Sequence, residues 1–164
     1  MSDVLQKDDI TAQELELLTA INPADIRLSA MNLLARREHS AKELRQKLLK
    51  RFNNPELVDE QLLRLREEKL QSDERFAESF LRQRISRGHG PIRIRQEMRQ
   101  KGISDYEINS AIDAEKPDWF ELAEQTYHRK FGSLPSEDIK EKSKRSRFMQ
   151  YRGFGHDHYQ YLLD

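Results

Sequence analysis

Apolar residues in this chain return every three or four positions and not every second one. Leu44 and Leu48, Val58 and Leu62, Ile94 and Met98, and Ile108 and Ile112 are pairs at a spacing of four. That spacing lines side chains along one face of an α-helix. No segment alternates apolar and polar residues as a half-buried strand would, so the pattern predicts an all-α protein. The punctuation agrees. Asn22-Pro23 and Asn54-Pro55 each place an N-cap before a first-turn proline, and Gly90-Pro91 and Lys116-Pro117 repeat the step with weaker caps. Ser40 with Glu43, and Ser104 with Glu107, read as capping boxes, while Gly102 and Gly153 read as C-terminal stops. Together these signals predict helices near 23–38, 40–52, 55–70, 73–87, 91–101, 105–115, 118–131, 137–152 and 156–163.

Nine helices invite a search for repeats. Displacing the chain by about 50 residues lays "SAKELRQKLLKRF" over "GPIRIRQEMRQKG" and puts Leu44, Leu48, Val58 and Leu62 on Ile94, Met98, Ile108 and Ile112. A second displacement of similar length puts Met98, Gly102, Ile103 and Ile108 on Met149, Gly153, Phe154 and Tyr159. The opening helices superpose as well: Ala30, Leu34 and Arg37 match Ala77, Leu81 and Arg84, then Ala123, Tyr127 and Lys130. The expected organisation is an acidic, partly helical arm over residues 1–22, then three-helix repeats over 23–71, 72–116 and 117–164. Such units bury little alone and depend on their neighbours. The result is an elongated array of three tandem three-helix repeats.

Composition fits that thin architecture, with 36% hydrophobic and 35% charged residues. The absence of cysteine excludes disulfides and thiolate zinc sites. No run has the apolar length of a signal peptide or membrane span, so the expected location is the cytoplasm, without membrane contact. The net charge of zero conceals an asymmetry. Residues 1–25 hold six acidic side chains and one lysine, so the rest of the chain carries the positive excess.

Nothing in the chain marks a catalytic centre, a metal site or a cofactor site. His156 and His158 lack further ligands nearby, and His39, His89 and His128 read as isolated, exposed or cap-adjacent residues. "SRGHGP" lacks the Lys-Ser/Thr ending of a phosphate-cradling loop. Basic patches are the remaining signal, around the second helix of each unit. The first includes Arg36, Arg37 and Arg45. The second spans residues 82–101, with Arg82, Arg84, Arg87, Arg93, Arg95, Arg99 and Lys101 against Glu97 alone. The third includes Lys144, Arg145, Arg147 and Arg152. Relative to the Ile94–Met98 stripe, Arg95 and Arg99 fall near one edge and Arg93 near the other. All fourteen are candidate partner-binding or DNA-binding residues. Phe148 and Tyr151 read as core anchors of the third unit, and Trp119 with Phe120 as a staple between the second and third.

Three blocks, "LLARREHSAKELRQKLLKR", "SDERFAESFLRQRISRGHGPIRIRQEMRQKGI" and "RFMQYRGFGHDHYQYLL", resemble successive blocks of the bacterial RecX family, over about residues 26–164. One departure is that Lys69-Leu70 stand where the family often has Gly-Tyr. The resemblance implies a chain of three-helix repeats that binds the RecA recombinase, particularly its filament on single-stranded DNA. It also implies lowered RecA ATPase and strand exchange, and so restraint of recombination, DNA repair and the SOS response, with no enzymatic activity and no cofactor. A monomer lying along the filament, with at most weak direct DNA contact, fits such a rod. The arginine clusters on their own leave another reading open: a helical protein that binds nucleic acid directly.

Overall fold

The computed structural model describes residues 11–164, so the first ten residues of the expected arm lie outside the described residues. Among the described residues every regular element is a helix. α1 (Ala12–Thr19) opens on a Thr11/Glu14 capping box. Three helix triplets come next: α2 (Pro23–Arg36), α3 (Ala41–Arg51) and α4 (Pro55–Glu67); α5 (Asp73–Ser86), α6 (Pro91–Gln100) and α7 (Asp105–Glu115); α8 (Trp119–Phe131), α9 (Ile139–Arg152) and α10 (His156–Tyr159), which runs into a 3₁₀ turn at Gln160–Leu162.

The caps act as the sequence predicts at most boundaries. Ser40 and Ser104 each accept from the backbone N–H three residues on, and Glu43 and Glu107 reach back to the cap amides. Asn22 and Asn54 cap α2 and α4 ahead of their prolines. The Lys116-Pro117 step behaves differently. Asp118 caps α8, and Lys116 instead closes α7 in the left-handed region at φ 50°. Lys69 takes the same region at φ 60° between α4 and α5. Both links between units therefore turn through a lysine in a conformation that costs an L-residue roughly 1–2 kcal/mol.

Each triplet encloses its own core. In the first, Ile26, Ala30, Leu44, Leu48 and Val58 are buried together; in the second, Ala77, Leu81, Ile94, Met98 and Ile108; in the third, Ala123, Tyr127, Met149, Phe154 and Tyr159. Ala30, Ala77 and Ala123, then Leu48, Met98 and Met149, then Val58, Ile108 and Tyr159 are equivalent positions of the repeat, and all of these core residues lie below 3% exposure. Truncating such a side chain removes transfer energy and leaves a cavity, which for Leu or Met costs about 2–5 kcal/mol. Trp119 packs against both the second and the third core, as a staple should, whereas Phe120 is half exposed and meets His158 edge-on inside the third unit.

The three cores are joined end to end by the second helices. Gly102, after the C-terminus of α6, lies against Lys42 in the first turn of α3. Gly153, after the C-terminus of α9, lies against Arg93 in the first turn of α6. Among the described residues no hydrogen bond or ion pair links the first unit to the third.

Candidate partner-binding surface

Each seam must satisfy the orphan N–H groups of a helix N-terminus. At the first, carboxylates do so. Glu43 accepts from the Ser40 amide at 3.1 Å and Asp73 Oδ1 from the Ala41 amide at 2.8 Å. Gln71 Nε2 donates to the His39 carbonyl and to Asp73, and Arg75 pairs with Glu38 at 3.0 Å. Glu43 is also the meeting point of Arg37 at 2.8 Å and Lys101 at 3.3 Å. Burial pushes its carboxyl upward. The hydrogen bonds from Arg37 and the Ser40 amide, with the charges of Arg37 and Lys101, outweigh burial and hold it below the usual carboxylate range.

At the second seam the backbone takes over. Gly90, at the place of Ser40, has no side chain to cap α6. Its amide donates to the Arg152 carbonyl at 2.7 Å, and the Ile92 amide donates to the Gly153 carbonyl at 3.0 Å. The C-terminal carbonyls of α9 thus cap α6, an arrangement that also aligns the two helix dipoles head to tail. A Cβ on Gly90 would stand 2.5 Å from the Gly153 carbonyl group.

The fourteen candidate cations separate on this frame. Arg37 and Lys101 serve Glu43, and Arg84 and Arg93 both serve Glu97, at 3.0 and 2.9 Å. The single acid of residues 82–101 therefore balances two arginines, and Arg93 further lies over the Tyr151 ring. Arg45 forks onto Asp59, Arg99 reaches Asp105 at 2.9 Å, Arg95 donates to Asn109 at 2.7 Å, and Arg82 faces Glu115 at 4.0 Å. Arg36, Arg87, Lys144 and Arg147 are exposed and make no ion pair among the described residues. Arg152 donates to the Arg87 carbonyl at 2.8 Å and covers the Phe148 ring.

Arg145 does not belong to a surface patch. It is 7% exposed, and its guanidinium donates to Tyr127 Oη at 2.8 Å, to the Leu134 carbonyl at 2.9 Å and to Glu141 at 3.0 Å. The displacement that carries Met98 to Met149 also carries Ile94 to residue 145, so the repeat register already marked this arginine as a core position. Tyr151 is corrected in the other direction: it is 72% exposed and anchors nothing in the core, while Phe148 is half buried.

The histidines required the fold. His39 and His89 are both buried, at 2% and 8% exposure, in equivalent loops after the first helix of their units. Lys47 Nζ donates to His39 Nε2 at 3.1 Å, which assigns the ring proton to Nδ1 facing the Arg37 carbonyl at 3.0 Å. Desolvation chiefly lowers its pKa, with Arg37 and Lys47 adding to that and the hydrogen bond to the Arg37 carbonyl opposing it. His89 is lowered further, to about 4, by desolvation first and then by Arg93, Arg84 and Arg152, with Glu97 opposing. His128 is exposed, with Nδ1 against the Gly132 carbonyl. Among the described residues no group of three or more His, Asp or Glu is placed to hold a metal, and no helix is long and apolar enough to cross a membrane.

Fold and surface define a class: a helical-repeat array, three three-helix units joined end to end with arginine-rich seams. Comparison with known proteins makes it specific. Residues 27–65, 72–112 and 117–163 match the first, second and third three-helix domains of RecX, in that order. The chain belongs to the RecX family. It is 45% identical over 137 residues to the regulatory protein RecX of Ectopseudomonas mendocina (strain ymp), covering 83% of this chain and 91% of that one. To the regulatory protein RecX of Halorhodospira halophila it is 42% identical over 132 residues, covering 80% and 82%. Among solved structures, a crystal structure of regulatory protein RecX superposes with a TM-score of 0.73 at 24% identity, over 94% of this chain and 79% of that one. RecX from Lactobacillus salivarius superposes with a TM-score of 0.67 at 21% identity, over 86% and 94%. At those identities the superpositions establish the shared fold.

Proposed function

We propose that this protein is a non-catalytic regulator of the RecA recombinase. In this reading it acts in the cytoplasm as a monomer, binds RecA and above all the filament assembled on single-stranded DNA, and lowers ATPase and strand-exchange activity. Recombination, DNA repair and the SOS response are restrained as a consequence. The observation that carries the reading is the ordered match of all three units to the RecX domains. The architecture supports it physically. Units joined end to end present similar surfaces at regular intervals, so contacts to several protomers of a filament add as effective concentration and favour filament over free subunits.

The test is the single-stranded-DNA-dependent ATPase of RecA, titrated with this protein. Turnover is expected to fall to a plateau while the protein co-sediments with filaments; unchanged turnover without co-sedimentation overturns the reading. Within it, Arg95 and Arg99 are the arginines of α6 whose reversal leaves both seams intact. The double variant Arg95→Glu/Arg99→Glu is expected to weaken inhibition with helicity unchanged.

A further inference from the structure

Most partly buried arginines in this molecule meet a carboxylate, but Arg152 does not, and three exposed cations gather beside it without one. Between the second and third units lies a cleft of about 160 Å³ lined by Arg87, Arg129, Lys130 and Arg152, with Phe148, Thr126 and Gly88 completing the wall. No carboxylate lines it, and none of the four cations makes an ion pair among the described residues. The geometry points to a binding site for a phosphate group.

The position of Arg129 and Lys130 in the last turn of α8 is ordinary, because cations favour a helix C-terminus. That does not explain why Arg87 and Arg152 join them. Arg152 comes from the other side of the cleft, held by its hydrogen bond from Nη1 to the Arg87 carbonyl at 2.8 Å. Its remaining guanidinium donors make no hydrogen bond among the described residues. Arg152 and Lys130 both lie over the Phe148 ring, at 5.0 and 5.6 Å from its centroid, so the ring's negative face offsets part of their repulsion. Gly88 keeps the floor open. At φ 76° it has no Cβ to fill the space beside Thr126 Oγ1 and Arg152 Nη1, which would stand 3.0 and 3.6 Å from one.

Four like charges converging without a counter-ion raise the local positive potential, and a tetrahedral oxyanion relieves it. Arginine forks match its paired oxygens, and lysine adds a point charge. Because Phe148 is already engaged by Lys130 and Arg152, the cleft offers no free aromatic face to a base. It would take the phosphate and not read the nucleobase. The phosphate could come from the backbone of a nucleic-acid strand or from a free phosphate compound. This site does not rest on the RecA reading, and either can fail without the other.

The experiment uses the full chain, labelled with ¹⁵N, and two probes: inorganic phosphate at constant ionic strength and a fluorescein-labelled oligothymidylate. Phosphate is expected to shift the Gly88 and Thr126 amide resonances. In the variant Arg129→Gln/Lys130→Gln, oligothymidylate binding should weaken about tenfold, and the slope of log K against log salt should fall by about 1. Arg64→Gln/Arg66→Gln on α4 removes the same charge elsewhere and should stay within about twofold. Cleft-dependent binding of the strand assigns the site to a backbone phosphate. Phosphate shifts without any cleft-dependent strand binding assign it to a free phosphate compound. No shift at Gly88 and Thr126, with equal weakening by the two variants, overturns the site. RecA inhibition measured on the cleft variant separates this outcome from the fate of the proposed function.

Discussion

At the first seam the N-terminus of α3 is held by the carboxylates of Glu43 and Asp73, with Arg37, Lys101 and Gln71 arranged around them. At the second, the N-terminus of α6 is held by two carbonyls from the end of α9, and glycine replaces serine at the cap. The helix ends that meet are equivalent in the repeat, yet the chemistry differs. A seam made of side chains tolerates small movements, because each partner is a flexible arm whose pairing depends on charge. The backbone contacts of the second seam are closer and do not themselves depend on charge, and they admit no Cβ. One repeat can therefore be joined to the next either by ion pairs or by close backbone approach, and the choice depends on which residue stands at a single cap.

This contrast is open to direct attack. The largest effect is expected from Gly153→Ala. Gly153 sits at φ 96° against the backbone of Arg93, so the variant adds left-handed strain to a backbone clash. Urea unfolding should show a loss of about 2–4 kcal/mol. Gly102→Ala carries left-handed strain too, at φ 81°, but meets Lys42 Cβ at 2.9 Å where Gly153 meets the Arg93 backbone, and should lose less; equal losses would erase the distinction between the seams. Next comes Glu43→Gln, which removes the charge that holds Arg37, the Ser40 amide and Lys101. A loss of about 1–3 kcal/mol is expected, shrinking as salt rises. Gly153→Ala should show no such salt dependence.

Acidification gives a smaller effect that separates the seams by pH. His89 has a folded pKa of about 4 against an ordinary 6.5, so the unfolded chain takes up its proton first. The stability tied to the neutral ring is complete above pH 6.5 and is lost as pH falls toward 4. Glu43 is likewise held below its ordinary 4.5, so its contribution is complete above that pH and is lost only beneath it. His89→Gln should therefore flatten the stability curve between pH 6.5 and 4 more than His39→Gln does, since His39 is the less strongly lowered. Unfolding midpoints across that range provide the check. The smallest effect concerns the link into the first seam. Lys69→Gly relieves a left-handed lysine but loosens the unfolded chain, for a net gain of up to about 1 kcal/mol. A loss of stability there would mean that the lysine side chain contributes more than its backbone conformation costs.

Much of this architecture was legible in advance. The four-residue spacing of Leu44 with Leu48 and Ile94 with Met98 identified the buried stripe, and the capping boxes at Ser40 and Ser104 located two helix starts to the residue. The candidate surface was less legible, because a run of arginines reports composition and not partners. Arg93 with Glu97 is a local i,i+4 pair, but Arg84 meets Glu97 only when α5 packs on α6, and Lys101 reaches back 58 residues to Glu43 only once the units are stacked. Arg145 was misread by its neighbours in sequence, Lys144 and Arg147, although the repeat register placed it over Ile94. The cationic cleft is not legible in the sequence for a related reason. Arg87, Arg129 and Arg152 stand in three different helical regions with no local motif to unite them.

By itself, the sequence determined the helices, the three-unit repeat and the family, because each depends on short-range spacing and local capping that the chain order contains. Only the tertiary structure decided which charges face one another and which are left without a partner. It also revealed that His39 and His89 are buried and that the second seam is sealed by backbone. Burial and charge pairing are set by contacts between residues far apart in the chain, and helical periodicity carries no information about distances across a seam.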